Sequence, residues 1–290
     1  MTRELRIGGV PEHFNLPWKL AIADRAFDSI GVEVEFIEHP GGTGAMTAAL
    51  RAGELDAALM LTEGAVLDIV TGGDNRLVSV YVESPLIWGI HVNASSAIRN
   101  IADIAGRRFA ISRYGSGSHL IAIVDAAERG LDTRSMSFVV VDTIDGARAA
   151  LAAGSADVFL WERHMTQPLV DAGEFRRIGE RVVPWPAFVV SARREYLSHG
   201  AEKLRRCLDI VAGYAARLKR VPDSAELISK TYEIDLSDAS AWLADVRWSQ
   251  DHEYPAADIH RVLNALHSQG VIPDAKLSAK SLWHALGKRV

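Results

Sequence analysis

The sequence predicts an α/β protein made of two lobes, and three observations lead to this expectation. A chain of 290 residues is longer than one ordinary core needs and suits two units of roughly 100 to 150 residues. Short β-branched runs alternate with segments of helical periodicity, which is typical of a mainly parallel sheet with right-handed crossovers. The alternation stops and begins again near residue 86.

The first lobe opens with a β-α-β unit. The runs LRIGGV and VEVEFIEH are short and β-branched, and the segment between them has helical spacing that Gly31 ends. The predicted elements in chain order are strand 5–10, helix 14–31, strand 32–39, helix 45–53, strand 55–61, helix 63–71 and strand 76–82.

The second lobe repeats this alternation, and a helical tail follows it. Its predicted elements are strand 87–92, helix 101–106, strand 107–112, helix 116–130, strand 136–142, helix 146–154 and strand 156–161. The tail is predicted as helices near 199–219, 223–232, 237–246 and 256–268. Lys276, Lys280, His284 and Lys288 recur every four residues, which predicts a basic face on a last helix.

One pattern, A-L-x-A-G-x-x-D, occurs in both lobes, at 49–56 and at 150–157. An apolar strand and then an acid, Glu63 or Glu162, follow each copy. The pattern describes a helix that a left-handed glycine ends, before a buried strand. It indicates either pseudo-symmetric lobes or a common α-β junction that arose twice.

Composition excludes several classes of protein. Hydrophobic residues at 48% and charged residues at 24% are the balance of a globular chain. A net charge of −5 lacks the basic excess that nucleic-acid binding requires, so no nucleic-acid partner is expected. Cys207 is the single cysteine, which excludes an internal disulfide, a thiolate zinc site and an iron–sulfur cluster.

No transmembrane segment is predicted, because the longest apolar stretch, AALMLTEGAVLDIV, contains Glu63 and Asp68 and is shorter than the roughly 18 residues that a membrane helix needs. No signal peptide is predicted, because charged residues interrupt the apolar stretch of MTRELRIGGVPEHF. A cytoplasmic location is expected for the chain as given. A periplasmic location is expected if an export signal has been removed from it.

The loops that leave the C-terminal ends of predicted strands are where ligands bind in open α/β sheets. Two of these loops, 41–44 and 112–119, are glycine-rich and enter helices, so their N–H groups and hydroxyls could hold a polar or anionic group. Taken singly, each loop could also be an ordinary helix cap. The predicted ligand-binding residues are Glu12, His13, Gly42, Thr43, Gly44, Thr62, Glu63, Arg113, Tyr114, Ser116, Gly117, Ser118, His119, Trp161 and Glu162.

Known motifs for cofactors and catalysis are missing from these loops. PGGTGAM lacks the phosphate-loop lysine, GSGSHL lacks the third glycine of a dinucleotide fingerprint, and no G-x-S-x-G elbow occurs. We therefore predict no cofactor, no metal and no catalytic residue. Glu12, Glu63 and Glu162 are either exposed to solvent or need a cationic ligand group, Arg113 or a histidine to balance them.

Four segments carry a family resemblance. They are GGVPEHFNLPWKLA, PGGTGAMTAALRAGELDAALMLTEG, DIAGRRFAISRYGSGSHL and ALAAGSADVFLWERH, within residues 5–165. They resemble the nitrate, sulfonate and taurine group of ABC-transporter substrate-binding proteins, in the class II periplasmic-binding-protein fold. The resemblance implies mixed sheets flanked by helices, with lobe 1 and the helical tail at 1–85 and 187–290, and lobe 2 at 86–186. It also implies closure of the lobes about a hinge.

The resulting hypothesis is a substrate-binding protein that captures a small polar organic molecule, anionic or zwitterionic, for an ABC transporter permease or a sensor. A cytosolic enzyme on the same fold, of the thiamine-pyrimidine or menaquinone-precursor biosynthesis type, is the alternative. The cysteine-rich iron-binding stretch of the thiamine-pyrimidine synthases is missing from this sequence, which argues against that type of enzyme. A third reading is a ligand-sensing module that docks through its tail.

Overall fold

Two five-stranded sheets form the framework of the protein. The computed structural model describes residues 3–253, 255–273 and 278–286. The strands are Arg3–Gly9 (β1), Val32–Glu38 (β2), Ala57–Leu61 (β3), Asn75–Val82 (β4), Ile87–Asn93 (β5), Arg108–Ile111 (β6), Ser137–Val140 (β7), Val158–Glu162 (β8), Phe175–Val182 (β9) and Phe188–Arg193 (β10). The α-helices are Leu16–Ala23 (α1), Gly42–Ala52 (α2), Thr62–Val70 (α3), Gly117–Glu128 (α4), Ile144–Ala152 (α5), Arg163–Asp171 (α6), Arg194–Leu218 (α7), Ser224–Tyr232 (α8), Leu236–Asp245 (α9) and Ala256–Ser268 (α10).

The two sheets share one topology. Strand order is β2-β1-β3-β10-β4 in sheet 1 and β7-β6-β8-β5-β9 in sheet 2. In each sheet the first three strands run parallel, and the fourth pairs antiparallel with both of its neighbours. Mixed sheets flanked by helices confirm the predicted fold class.

The fourth strand of each sheet is reached by a crossing of the chain from the other sheet. β5 of sheet 2 follows β4 of sheet 1, and β10 of sheet 1 follows β9 of sheet 2. The crossings are residues 83–86 and 183–187, and the second lies in the expected segment VVPWPAFVVS. The predicted lobe limits fall inside these crossings.

The repeated A-L-x-A-G-x-x-D pattern occupies equivalent places in the two sheets. The carboxylate of Asp56 accepts hydrogen bonds from the backbone nitrogen of Arg6 at 3.0 Å and from its Nη2 at 2.9 Å. Asp157 accepts the same two bonds from Arg108, at 3.0 and 2.8 Å. Arg6 lies in β1 and Arg108 in β6, the second strands of their sheets. The repeat is therefore a pseudo-symmetric strand-to-turn clamp.

The C-terminal helices pack on sheet 1, as the predicted helical tail requires. α7 packs against α1, and α10 packs against α3. The indole of Trp248 donates a hydrogen bond to the carbonyl of Phe14 at 3.0 Å and meets Trp242 of α9 edge to face. Within the described residues, none of the helices has the apolar stretch that a bilayer-spanning segment needs.

Four elements differ from the sequence-based expectation, and one of them is β10, a strand with no counterpart in the prediction. The helix predicted over 14–31 is α1 followed by a 3-10 turn, because Arg25 takes a left-handed φ of 53° between them. β9 has no counterpart in the prediction because it is an arginine-bearing edge strand, FRRIGERV, without clear apolar alternation. α6 was missed as well, since its sequence, RHMTQPLVD, is polar and contains Pro168.

The basic face predicted on a last helix is wrong for the described residues. Ala279–Leu282 forms a short 3-10 helix, and Trp283 then makes a parallel bridge to Leu77 of β4. Lys276 and Lys288 lie outside the described residues. This segment covers the edge strand of sheet 1, where main-chain pairing replaces a helical turn.

We expect Asp56→Asn to lower the free energy of unfolding by about 2 kcal/mol, because a charge-assisted hydrogen-bond pair in a partly buried site is lost. Asp157→Asn should cost less, since its side chain is 22% exposed against 11% for Asp56. Urea unfolding checks both values, with the exposed Asp132→Asn as control. Equal losses at Asp56 and Asp132 would contradict a structural role for the clamp.

Candidate functional site

A cavity lies between the two sheets, where the glycine-rich loops approach each other. The space open to the centre of a water molecule is about 50 Å³. It is lined by Val10, Glu12, Gly41, Gly42, Thr43, Leu61, Leu86, Trp88, Ser112, Ser116, Gly117, Ser118, Trp161, Glu162 and Phe188. Loops from both sheets therefore contribute to one site.

The loop after β2 brings the N-terminus of α2 to this cavity. Gly42 has a φ of +69°, a conformation that side-chain-bearing residues rarely adopt. The N-cap residue, Gly41, has no side chain that could cap the first turn of α2. The N–H of Gly42 donates to the carbonyl of His39 at 2.9 Å, so the N–H groups that follow it and the positive dipole end are left for a ligand. The hydroxyl of Thr43 accepts a hydrogen bond from the backbone nitrogen of Leu61 at 3.0 Å, which ties α2 to the end of β3.

The loop after β6 brings the N-terminus of α4 to the opposite side. Ser116 is the N-cap residue of α4. Ser118 accepts a hydrogen bond from the backbone nitrogen of Ser112 at 3.0 Å, and its hydroxyl lies 3.0 Å from that of Ser116. A methyl group at Gly117 would come within 2.4 Å of a Leu61 carbon and 2.8 Å of the Trp88 ring, so glycine keeps this end of the cavity open.

Apolar side chains form the walls, and sequence inspection identified Trp161 alone among them. Trp88 and Phe188 were missed because they stand at the start of β5 and β10. Those strands run antiparallel to their neighbours, so their first residues lie beside the C-terminal ends of the parallel strands. In the sheet register Trp88 faces Glu162, and Phe188 faces Leu61. The start of the antiparallel strand was the signal that could have found them.

Two buried carboxyl groups face the cavity. Glu12 is 9% exposed and its carboxyl forms no hydrogen bond with the described residues; burial raises its pKa to about 7. Glu162 is 5% exposed, and its Oε2 caps α6 by accepting a bond from the backbone nitrogen of Met165 at 2.8 Å. Burial, with a smaller contribution from the nearby Glu12, raises the pKa of Glu162 to about 8.

No lysine, arginine or histidine is among the described residues that line this cavity. Nor do the described residues include a group of three or more His, Cys, Asp and Glu side chains placed to hold a metal ion. The electrostatic character of the site therefore comes from two carboxyls and from the N-termini of α2 and α4.

Three predicted residues of the first lobe lie behind the cavity wall. His13 is fully buried between Phe14 and Trp242, and burial lowers its pKa to about 3. Thr62 donates its hydroxyl proton to the carbonyl of Pro186 at 2.5 Å. Glu63 accepts a bond from the indole of Trp185 at 2.9 Å. Both side chains hold the second crossing rather than a ligand.

The acids after the two sequence repeats are consequently not equivalent. Glu162 ends β8 and corresponds to Leu61, which ends β3 in the same position before a helix. Glu63 follows two residues later and turns away from the cavity, towards the crossing. Burial raises its pKa to about 7 as well.

The remaining predicted residues border the cavity without lining it. The guanidinium of Arg113 donates a hydrogen bond to the carbonyl of Gly41, and it covers Gly44 so closely that an added methyl would lie 2.6 Å from Nη1. Tyr114 is 64% exposed, against the edge of His119. His119 is held by the backbone nitrogen of Gly115 at 3.1 Å.

A larger cavity of about 470 Å³ opens beside the crossings, lined by Pro85, Trp185 and acidic residues that include Asp251 and Asp258. Its Asp258 is already paired with Arg261. We assign the ligand site to the smaller cavity, because its two carboxyls are buried and the carboxyl of Glu12 has no protein hydrogen-bond partner within the described residues. Such groups need a ligand partner.

The buried titratable groups predict how stability depends on pH. The native state keeps protons on Glu12 and Glu162 that the unfolded state releases above pH 4.5, so stability falls as pH rises to about 8. His13, His91 and His164 act oppositely, because burial lowers their pKa to about 3 or 4 from 6.5. Above pH 6.5 the histidines are neutral in both the folded and the unfolded state and no longer change the stability with pH. The pH dependence of stability in that range therefore comes from the carboxyls.

We therefore expect the wild type to lose roughly 2 kcal/mol more than Glu162→Gln when the pH is raised from about 6.5 to 8.5. Glutamine keeps the shape and the cap of α6 but does not ionise. Urea unfolding at both pH values measures the difference, and Glu174→Gln, an exposed partner of Arg148, is the matched control. Parallel losses in all three proteins would refute the assignment.

Known structures share this architecture. The Candida albicans CA3427 gene product, whose structure is described as a generic periplasmic binding protein fold, superposes with a TM-score of 0.91 at 22% identity, over 99% of this chain and 98% of that one. The alkanesulfonate-binding protein SsuA from Xanthomonas axonopodis pv. citri, bound to MOPS, gives 0.80 at 20% identity, over 98% and 99%. The periplasmic aliphatic sulphonate binding protein SsuA from Escherichia coli gives 0.72 at 19%, over 100% and 96%.

No curated protein matches the sequence. A family described as Ca3427-like PBP matches residues 88–181, which hold most of sheet 2. Together with the shared sheet topology, these likenesses establish the architecture that the resemblance implied. The chain has the class II periplasmic-binding-protein fold, and its second sheet is similar to the Ca3427-like members of that fold.

Proposed function

We propose that the protein binds a small polar organic molecule, anionic or zwitterionic, in the cavity between two lobes and closes on it. Lobe 1 comprises 1–85 and 187–290, and lobe 2 comprises 86–186. The observation that carries this proposal is the composition of the cavity, since Glu12 and Thr43 come from one sheet and Ser118 and Glu162 from the other. A ligand there contacts both lobes at once, which favours the closed arrangement.

The contact of Arg113 supports closure. It follows β6 of sheet 2, and its guanidinium reaches the carbonyl of Gly41, which follows β2 of sheet 1. A hydrogen bond of this kind breaks when the loops separate and re-forms when they meet. The crossings at 83–86 and 183–187 connect the sheets and supply the hinge.

Delivery to an ABC transporter permease, or to a sensor, is the role that fits such a binder best. Two of the similar structures carry the names of alkanesulfonate-binding and periplasmic aliphatic sulphonate binding proteins. The proposed location follows the role: periplasmic for uptake, cytoplasmic for a sensor.

An enzyme on the same fold is the second candidate, because a carboxyl with a pKa near neutrality is suited to proton transfer. Glu162, with a pKa of about 8, is the group that would act as general acid.

A chain of Ser79, His252 and Asp209 lies outside the cavity lining and does not supply a nucleophile. The Ser79 hydroxyl lies 2.9 Å from Nδ1 of His252, whose Nε2 lies 3.3 Å from Oδ1 of Asp209. Ser79 is buried, and its hydroxyl also donates to the carbonyl of Val80 at 2.7 Å.

Native mass spectrometry of the protein as purified distinguishes these candidates. A binding protein should carry a retained small molecule that is released chemically unchanged on denaturation. Conversion of that molecule during incubation with catalytic amounts of protein would instead identify an enzyme, and Glu162→Gln should then abolish turnover. The absence of both a retained molecule and stabilisation by any small polar molecule would contradict the proposed function.

We expect Arg113→Ala to weaken ligand binding about tenfold, because one contact across the cleft mouth is lost, corresponding to about 1.4 kcal/mol. The fluorescence of Trp88 and Trp161, which line the cavity, should report the titration. X-ray scattering should show the ligand compacting the wild type more than the variant. The control is Arg134→Ala, which removes an exposed arginine paired with Asp132. Equal affinity in both variants would refute a role for the Arg113–Gly41 contact in ligand binding.

A further inference from the structure

We propose that the ligand is a small zwitterion whose positively charged nitrogen sits between Glu12 and Glu162, with its anionic group at the N-termini of α2 and α4. This inference rests on the proposed function and narrows its ligand class. It excludes a simple anion, including a plain alkanesulfonate, as the preferred ligand.

Charge is the first argument. The described lining residues contribute two carboxyls and no basic side chain. Once the carboxyls ionise, above their raised pKa values of about 7 and 8, an anion close to them is repelled by about 3 kcal/mol per pair at 5 Å for an effective dielectric constant of 20. A ligand with a cationic nitrogen converts that repulsion into attraction.

Hydrogen bonding is the second argument. The carboxyl of Glu12 has no protein partner among the described residues, and the Glu162 carboxyl accepts bonds from two backbone nitrogens of the first turn of α6, those of Met165 and His164, which leaves it capacity for further donors. Both residues are more than nine-tenths buried. Buried acceptors of this kind require donors, and an ammonium or amidinium group supplies two or three in one place.

The basic groups beside Glu162 are turned elsewhere, and Arg113 lies over Gly41 and Gly44 at the N-terminus of α2. Arg163 pairs with Glu180 at 3.5 Å, and its Nη2 lies 3.1 Å from Nε2 of His164. Both residues line a separate cavity of about 40 Å³ on the far side of Glu162, which also holds Asp245. They do not line the ligand cavity, so Glu12 and Glu162 are left for a ligand.

The helix N-termini at the cavity suit an anionic group. The N-terminus of α2 has no side-chain cap, and the hydroxyls of Thr43, Ser116 and Ser118 line the cavity beside both helices. Helix N-termini and hydroxyl donors stabilise negative charge. The volume of about 50 Å³ leaves room for roughly three to five groups of water size, which limits the ligand to a short molecule.

Matched pairs of short molecules test the nitrogen directly. Calorimetry at pH 8 compares 3-aminopropanoate with propanoate, 2-aminoethanesulfonate with ethanesulfonate, and propylammonium as the cation alone. We expect an aminated acid to bind at least tenfold more tightly than its nitrogen-free partner and than propylammonium. Glu12→Gln and Glu162→Gln should each weaken that binding at least tenfold, while Glu174→Gln leaves it unchanged.

A proton readout separates charge recognition from a merely structural effect of these variants. The nitrogen binds the ionised carboxyls, so binding should release protons and tighten from pH 6 to 8, as calorimetry in buffers of different ionisation enthalpy detects. Around this pair, burial lowers the pKa of His13 to about 3 and that of His164 to about 4, so both stay neutral over that range. The guanidinium of Arg163 acts on the pair by lowering the pKa of Glu162. Burial raises the pKa of Tyr232, which also faces Glu12, so it stays neutral as well.

Equal or tighter binding of propanoate or ethanesulfonate would overturn the inference and leave the proposed function standing. So would a copurified ligand without a cationic nitrogen, or tighter binding after Glu→Gln substitution. Failure of all five probes, with no copurified ligand, would contradict the inference and the proposed function together.

Discussion

The antiparallel fourth strand of each sheet is the constraint on which the site depends. β5 and β10 run against their neighbours, and each follows a crossing of the chain from the other sheet. The crossings leave two sheets joined by two short segments, and they bring the starts of β5 and β10 to the edge where the parallel strands end. The cavity forms at that edge, with Trp88 and Phe188 as walls.

The burial of two neighbouring carboxyl groups gives this cavity its chemical character. Glu12 and Glu162 face an enclosed space without a basic neighbour in its described lining, and each has a pKa raised into the neutral range. Two apolar side chains in place of Glu12 and Glu162 would make the folded protein more stable. The two buried carboxyls therefore lower stability, as residues of binding sites commonly do. Because these pKa values lie near neutrality, the charge of the cavity changes with pH in the neutral range.

The hydroxyls of the two loops serve the protein as well as a ligand. Thr43 accepts the N–H of Leu61, and Ser118 accepts the N–H of Ser112. Removing either hydroxyl leaves a buried backbone donor unpaired, so loss of binding in an alanine variant combines two effects. Substitutions at Glu12 or Glu162 by glutamine are cleaner, because they keep shape and change charge.

The local patterns of the sequence determined the α/β alternation up to β8, the two-lobed class and the glycine-rich loops, because period and turn chemistry act within a few residues. They did not predict α6, β9 or β10. Of the residues that they predicted for ligand binding, Glu12, Thr43, Ser118, Trp161 and Glu162 line the cavity together with Gly42, Ser116 and Gly117. The contribution of Trp88 and Phe188, the withdrawal of His13 and Glu63 into the protein, and the position of Arg113 over Gly41 were decided by tertiary structure alone. Each depends on strand register or on a contact between residues far apart in the chain, for which no local signal exists.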